Sequence, residues 1–213
     1  MKFNFYGLIL GLTFLGGYFH LRRSRLPPRF IDPLLVGSIL WGIVGARLYH
    51  VLDYWDYYSH NLVQIINLPS GGLGIFGGLV TALIYIYYFC KRRHLSFSFV
   101  VNLIALYLPL AQSIGRLGNF FNHEIYSASG KPLWLYESVG CLILFVLINL
   151  FHTKLKFSPL GIYFIGYGLI RIIIDVFRSD VFIISNFKIS QIFGVIFILL
   201  GLWTLKKLPP EEP

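Results

Sequence analysis

Long apolar runs separated by short polar stretches dominate this chain. A helix crossing the hydrocarbon core of a bilayer needs roughly 20 residues of low polarity. Runs close to that length cover residues 3–21, 31–52, 73–90, 97–117, 133–151, 159–177 and 189–205. The pattern predicts an all-α polytopic membrane protein with seven transmembrane helices. Residues 1–205 read as one seven-span domain and 206–213 as a short polar tail, with no internal repeat and no linker long enough to separate domains.

The polar stretches then orient the spans. One side of the expected membrane carries Arg22, Arg23, Arg25 and Arg29, then Lys91, Arg92 and Arg93, then Lys154 and Lys156, then Lys206 and Lys207. The other side carries only Lys2, Lys131, Arg178 and Lys188. Eleven against four is a positive-inside bias, which places the N-terminus outside and the C-terminus in the cytoplasm. The first apolar run is followed by its charges, not preceded by them, so it reads as a retained helix and not as a cleaved leader.

Composition agrees and removes other classes. The sequence is 56% hydrophobic and 13% charged, about half the charge of a soluble domain. Its net charge of +9 could suggest nucleic acid, but most of the basic residues lie in clusters between apolar runs, so no nucleic-acid partner is expected. Cys90 and Cys141 form no ligand-like spacing, and neither a metal nor an organic cofactor is expected.

Three basic residues are not explained by topology. Arg47, Arg116 and Arg171 fall inside the second, fourth and sixth spans, each in its outward half. A mid-helix arginine costs roughly 2.5–3.5 kcal/mol on insertion scales, so it usually faces a cavity or a partner. Snorkelling or a private ion pair is the alternative for any one of them. Three at similar depth point to a shared anionic ligand near the outer leaflet.

Residues 115–126, Gly-Arg-Leu-Gly-Asn-Phe-Phe-Asn-His-Glu-Ile-Tyr, concentrate Arg116, Asn119, Asn122, His123 and Glu124 at a membrane boundary. Guanidinium groups recognise phosphate bidentately, and Asn or Glu can bind hydroxyls or orient the arginine. A polar re-entrant turn is the structural alternative. In the sixth span Tyr167, Arg171 and Asp175 recur every four residues and share one helix face. The glycine-rich 71–78 stretch, including Gly77 and Gly78, opens the third span with its helix N-terminus facing outward, where free N–H groups favour an anion.

At these residues the chain resembles the bacterial prolipoprotein diacylglyceryl transferase family. The likeness runs through Tyr6-Gly7, Gly45-Ala-Arg-Leu-Tyr49, the glycine-rich start of the third span, Leu135-Tyr-Glu-Ser138, and Gly166-Tyr-Gly168 followed by Arg171. The run from Arg116 to Glu124 is similar to the family signature Arg-x-Gly-Asn-Phe-x-Asn-x-Glu. The resemblance implies a seven-span inner-membrane enzyme that moves the diacylglyceryl group of phosphatidylglycerol onto the lipobox cysteine of a prolipoprotein, forming a thioether and releasing glycerol phosphate.

It also implies catalytic roles for Arg116, Arg171 and Glu124. Tyr6, Arg47, Gly77, Gly78, Asn119, Asn122, Tyr167 and Asp175 would bind substrate. The sequence departs from the family at Phe76, where relatives carry a histidine, at Asn102, where an aspartate is usual, and at Ser127, where the signature ends in glycine. With Phe76 there, His123 and Glu124 are the candidate bases. An anion transporter and a non-catalytic lipid-binding scaffold are the alternatives from other classes.

Overall fold

A computed structural model describes residues 5–68, 71–121, 125–127, 129–155, 157–178, 183–184 and 187–207. Helices occupy each of the seven apolar stretches: α1 (Phe5–Arg22), α2 (Pro28–Asp53), α4 (Ile75–Arg93), α5 (Phe97–Phe121), α6 (Leu133–Leu155), α7 (Pro159–Val176) and α8 (Ile189–Lys207). A short α3 (Trp55–His60) and a 3-10 turn (Leu62–Ile66) lie between α2 and α4. A two-residue antiparallel pair, β1 (Ile183–Ile184) and β2 (Phe187–Lys188), joins α7 to α8.

Four of these helices, α2, α5, α6 and α7, are long and apolar enough to cross a bilayer, and α8 holds a shorter apolar segment, Ser190–Leu205. The protein is therefore a multi-pass membrane protein. Its outward faces carry Leu40, Leu48, Ile143, Ile173, Leu199 and Trp203, all more than half exposed. Lipid chains solvate such side chains at no cost, whereas backbone polar groups must pair internally.

Helix boundaries follow local chemistry. Pro28 opens α2 and Pro159 opens α7 at the position where a missing N–H is not needed. His94 closes α4 in the left-handed region. The Leu95 N–H then donates back to the Cys90 carbonyl at 3.0 Å. One boundary differs from the sequence reading. The apolar pattern ends the fourth span at residue 117, but α5 continues to Phe121. Leu117, Phe120 and Phe121 extend its apolar outward face, so Arg116 and Asn119 stand one turn apart on a helix and not in a loop.

The backbone divides into two compact units. The first comprises α1 and α5 to α8. Here α7 and α8 cross on glycines. A Cβ at Gly168 would stand 2.6 Å from the Gly194 carbonyl oxygen, and one at Gly201 would stand 2.8 Å from that of Gly161. Cys141, Leu144 and Ile148 of α6 pack with Tyr163 and Tyr167 of α7 to form the core. Polar ties set helix register: Ser138 Oγ donates to the Ser113 carbonyl (2.8 Å), Asn149 Nδ2 to that of Leu106 (3.2 Å), and Tyr107 OH to that of Thr13 (2.8 Å). Asn102 anchors the start of α7, its Oδ1 accepting from Ser158 Oγ (2.8 Å) and the Leu160 N–H (3.1 Å).

The second unit is α2, α3 and α4. Gly42 and Gly45 of α2 meet Gly77, Gly78 and Thr81 of α4; a Cβ at Gly45 would lie 2.6 Å from the Gly77 carbonyl. Thr81 Oγ1 donates to the Trp41 carbonyl (2.7 Å) and Tyr85 OH to that of Pro33 (2.7 Å).

Candidate functional site

Three helices of the first unit bring charge to one point. Arg116 comes from the last turns of α5, Glu137 from the second turn of α6, and Tyr167, Arg171 and Asp175 from one face of α7. Arg116 Nη2 lies 2.7 Å from Glu137 Oε1, and Arg171 Nη1 lies 3.6 Å from the same oxygen. Tyr167 OH donates to it at 3.3 Å and accepts from Arg116 Nη2 at 3.5 Å. Arg171 Nη2 stands 3.4 Å from Asp175 Oδ2, whose other oxygen is 3.9 Å from Arg178 Nη1. The result is an alternating series of guanidinium and carboxylate running from Arg116 to Arg178.

Burial is unequal along that series. Glu137 and Asp175 are fully enclosed, whereas the side chains of Arg116 and Arg171 keep 24% and 18% of their surface. An enclosed carboxylate costs several kcal/mol unless cations and donors surround it. Glu137 therefore requires its arginines, and each arginine retains a face toward the outside of the cluster. Among the described residues, Nε and Nη1 of Arg116 carry no hydrogen bond; the ion pair uses Nη2 alone. The Nε–H and the two Nη1–H groups are therefore left as separate donors that a phosphate oxygen could accept from.

Local structure fixes where these groups stand. Residues 125–127 and 129–132 lead back into α6: Tyr126 bridges Pro132, the Ser127 N–H donates to the Lys131 carbonyl (3.0 Å), and the Trp134 N–H donates to that of Ile125 (3.2 Å). Ser127 also bridges the backbone of Arg178, tying this return to the end of α7. Lys188 Nζ donates to the Asp175, Val176 and Arg178 carbonyls at 2.6, 3.2 and 2.5 Å. A cation there neutralises the C-terminal end of α7 just beyond the cluster.

The residues singled out in the sequence separate accordingly. Arg116, Arg171, Tyr167 and Asp175 meet in the cluster. Asn119 sits half-buried one turn beyond Arg116 and has a partner of its own. Asn122, His123, Glu124 and the Tyr6 side chain lie outside the described residues.

Arg47 differs from the sequence reading. It is buried, and all five of its N–H groups are taken by backbone carbonyls: Nε by Ile65, Nη1 by Gly71 and Gly72, Nη2 by Gln64 and Asn67. The guanidinium also stacks over Tyr58, 5.2 Å from the ring centre, a favourable cation–π placement. With no donor left for a phosphate, Arg47 clamps the segment between α3 and α4. Gly72 allows this because its φ is positive, a conformation that glycine adopts without strain. A Cβ there would meet Arg47 Nη1 at 2.8 Å. Gly77 and Gly78 likewise face α2, where their missing side chains permit the helix crossing.

Glu137 carries no role in the sequence reading, where it belongs only to the likeness over Leu135-Tyr-Glu-Ser138. Its position is nonetheless a signal. An acid inside an apolar span requires a partner just as an arginine does.

A family model described as Prolipoprotein diacylglyceryl transferase matches residues 1–206. Among similar proteins, one from Finegoldia magna is 33% identical over 216 residues, covering 92% of this chain and 87% of its own. One from Streptococcus sanguinis is 37% identical over 209 residues (85% and 80%), and one from Streptococcus pneumoniae is 35% identical over 206 (85% and 78%). All three are named phosphatidylglycerol–prolipoprotein diacylglyceryl transferase.

Proposed function

The chain belongs to the prolipoprotein diacylglyceryl transferase family, and from that membership we propose that it transfers the diacylglyceryl group of phosphatidylglycerol to the lipobox cysteine of prolipoproteins. The observation that carries this reading is the convergence of Arg116 and Arg171 on Glu137 from separate helices. The protein sits in the bacterial inner membrane with all seven long helices spanning, its N-terminus outside and its C-terminus in the cytoplasm. In that orientation the cluster opens toward the outer leaflet, where phosphatidylglycerol and the translocated preprotein meet.

In the reaction the cysteine sulfur attacks the glycerol carbon that bears the phosphate. The C–O bond breaks, its electron pair stays on the phosphate oxygen, and the thiol proton is released. Negative charge grows on the leaving phosphate, so fixed cations in a site short of water lower the barrier. Arg116 supplies its charge with the Nε and Nη1 donors, and Arg171 the second cation. Family membership assigns Tyr167, Asn119 and Tyr6 to the headgroup, with Asn122 and Glu124 belonging to the same signature. Asp175 holds Arg171 in place. A thiol with pKa near 8.5 supplies some thiolate at neutral pH, and positive surroundings raise that fraction. Alignment of lipid and peptide adds to this, since orientation alone is worth up to roughly 7–11 kcal/mol.

The test is glycerol phosphate release by purified protein given phosphatidylglycerol and a lipobox peptide. Release that requires both the peptide cysteine and Arg116 is the expected result. Release without peptide would make the protein a lipase, and no release would leave transport or a scaffold role.

A further inference from the structure

The cluster contains more negative charge than a simple phosphate clamp needs. Three guanidiniums (Arg116, Arg171, Arg178) are linked through two enclosed carboxylates (Glu137, Asp175), so the linked groups carry one net positive charge and not three. Glu137 does not face the outside of the site at all, being fully buried with its Oε2 lacking a hydrogen-bond partner among the described residues. An acid that only had to orient Arg116 could do so from a solvated position at far lower desolvation cost. Placed between two arginines, it also subtracts from the field that an arriving anion experiences.

We propose that Glu137, seconded by Asp175, is a specificity-determining residue that sets the site to hold a phosphodiester monoanion and to let a phosphomonoester dianion go. This rests on the transferase reading above. The substrate diester carries one negative charge. Loss of the diacylglyceryl group turns it into a monoester whose second pKa is near 6, so the product is largely a dianion at neutral pH. The balance is one diester monoanion and one thiol giving one thioether, one monoester dianion and one proton. A pocket carrying three uncompensated guanidiniums would bind that product more tightly than the substrate and stall. With Glu137 and Asp175 in place, the extra charge of the product gains little, and the product leaves.

The experiment uses the full chain in detergent with two soluble probes, glycerol phosphate as the dianion and its methyl ester as the monoanion. Binding is read by thermal stabilisation, which needs no turnover, and in parallel by inhibition of transfer. In the wild type the two probes bind within a few-fold of each other. Glu137→Gln removes one negative charge a few ångströms from the anion, and the preference for the dianion over the monoanion rises on the order of tenfold. Asp175→Asn moves the ratio in the same direction, and Glu137→Asp leaves it at the wild-type value.

A merely structural Glu137 would weaken both probes alike, and an unmoved ratio in both Glu137→Gln and Asp175→Asn overturns the proposal. If Glu137→Gln does not fold, Asp175→Asn decides. Absence of transfer by the wild type would refute the transferase reading, while the binding ratio would still judge the charge assignment.

Discussion

Arg116 and Arg171 share a single carboxylate oxygen, Oε1 of Glu137, at 2.7 and 3.6 Å. The two arginines are 55 positions apart in the chain (116 and 171) and reside on α5 and α7; among the described residues, Glu137 of α6 pairs with both. Removing Glu137 therefore leaves Arg116 without its ion-pair partner, while Arg171 keeps Asp175.

Arg116→Ala is expected to reduce transfer to background, and Arg116→Lys to retain a few per cent or less. A lysine carries the charge without the fixed planar donor set that serves Glu137 and Tyr167 through Nη2 and leaves Nε and Nη1 toward the phosphate. Initial rates of glycerol phosphate release measure both. Wild-type rates in Arg116→Ala would remove the central assignment.

Glu137→Ala should lower stability by about 2–3 kcal/mol, less than the roughly 3–5 kcal/mol typical of breaking an enclosed ion pair. The smaller figure reflects the exposure that both arginines retain. Thermal unfolding in detergent reads the loss, and an unchanged midpoint would show that the arginines do not depend on this acid.

The α7–α8 crossing gives a contrast between glycines. Gly168→Ala places a Cβ 2.6 Å from the Gly194 carbonyl oxygen, so the helices must separate. Stability should fall by about 2 kcal/mol, in the range of overpacked contacts. Gly11→Ala meets nothing within 4 Å. It should be neutral or stabilising by up to about 1 kcal/mol through helix propensity. Equal midpoints for the two variants would contradict the crossing.

Arg47→Ala should release Gln64, Ile65, Asn67, Gly71 and Gly72, whose carbonyls it holds. Hydrogen exchange or limited proteolysis confined to those residues is the expected signature. If Arg47 instead bound lipid, the variant would raise KM for phosphatidylglycerol and leave protection of the segment untouched.

Asn102→Asp should keep α7 anchored, because the acceptor for Ser158 Oγ and the Leu160 N–H survives. Asn102→Ala should cost about 1 kcal/mol, the usual loss for a helix cap. Unfolding midpoints of the two variants decide this. A larger loss in Asn102→Asp than in Asn102→Ala would show that charge, not hydrogen bonding, governs the position.

Much of this protein was determined by composition and pattern alone. Apolar runs of this length favour helices, which pair their own backbone groups, and a helix occupies each of the seven runs. The i, i+4 spacing of Tyr167, Arg171 and Asp175 likewise placed them on one face without any tertiary information. Tertiary structure decided which charges meet. Arg47 and Arg116 look alike in sequence, each an arginine in an apolar span. Yet the carbonyls of Gln64, Ile65, Asn67, Gly71 and Gly72 take every donor of the first, while Glu137 and Tyr167 engage only Nη2 of the second. Helix periodicity says which side of a helix a residue occupies but not which neighbour stands there. The partner of a buried charge is set by glycine crossings and by bridges such as Ser127 to Arg178, and long-range packing of that kind leaves no local pattern to read.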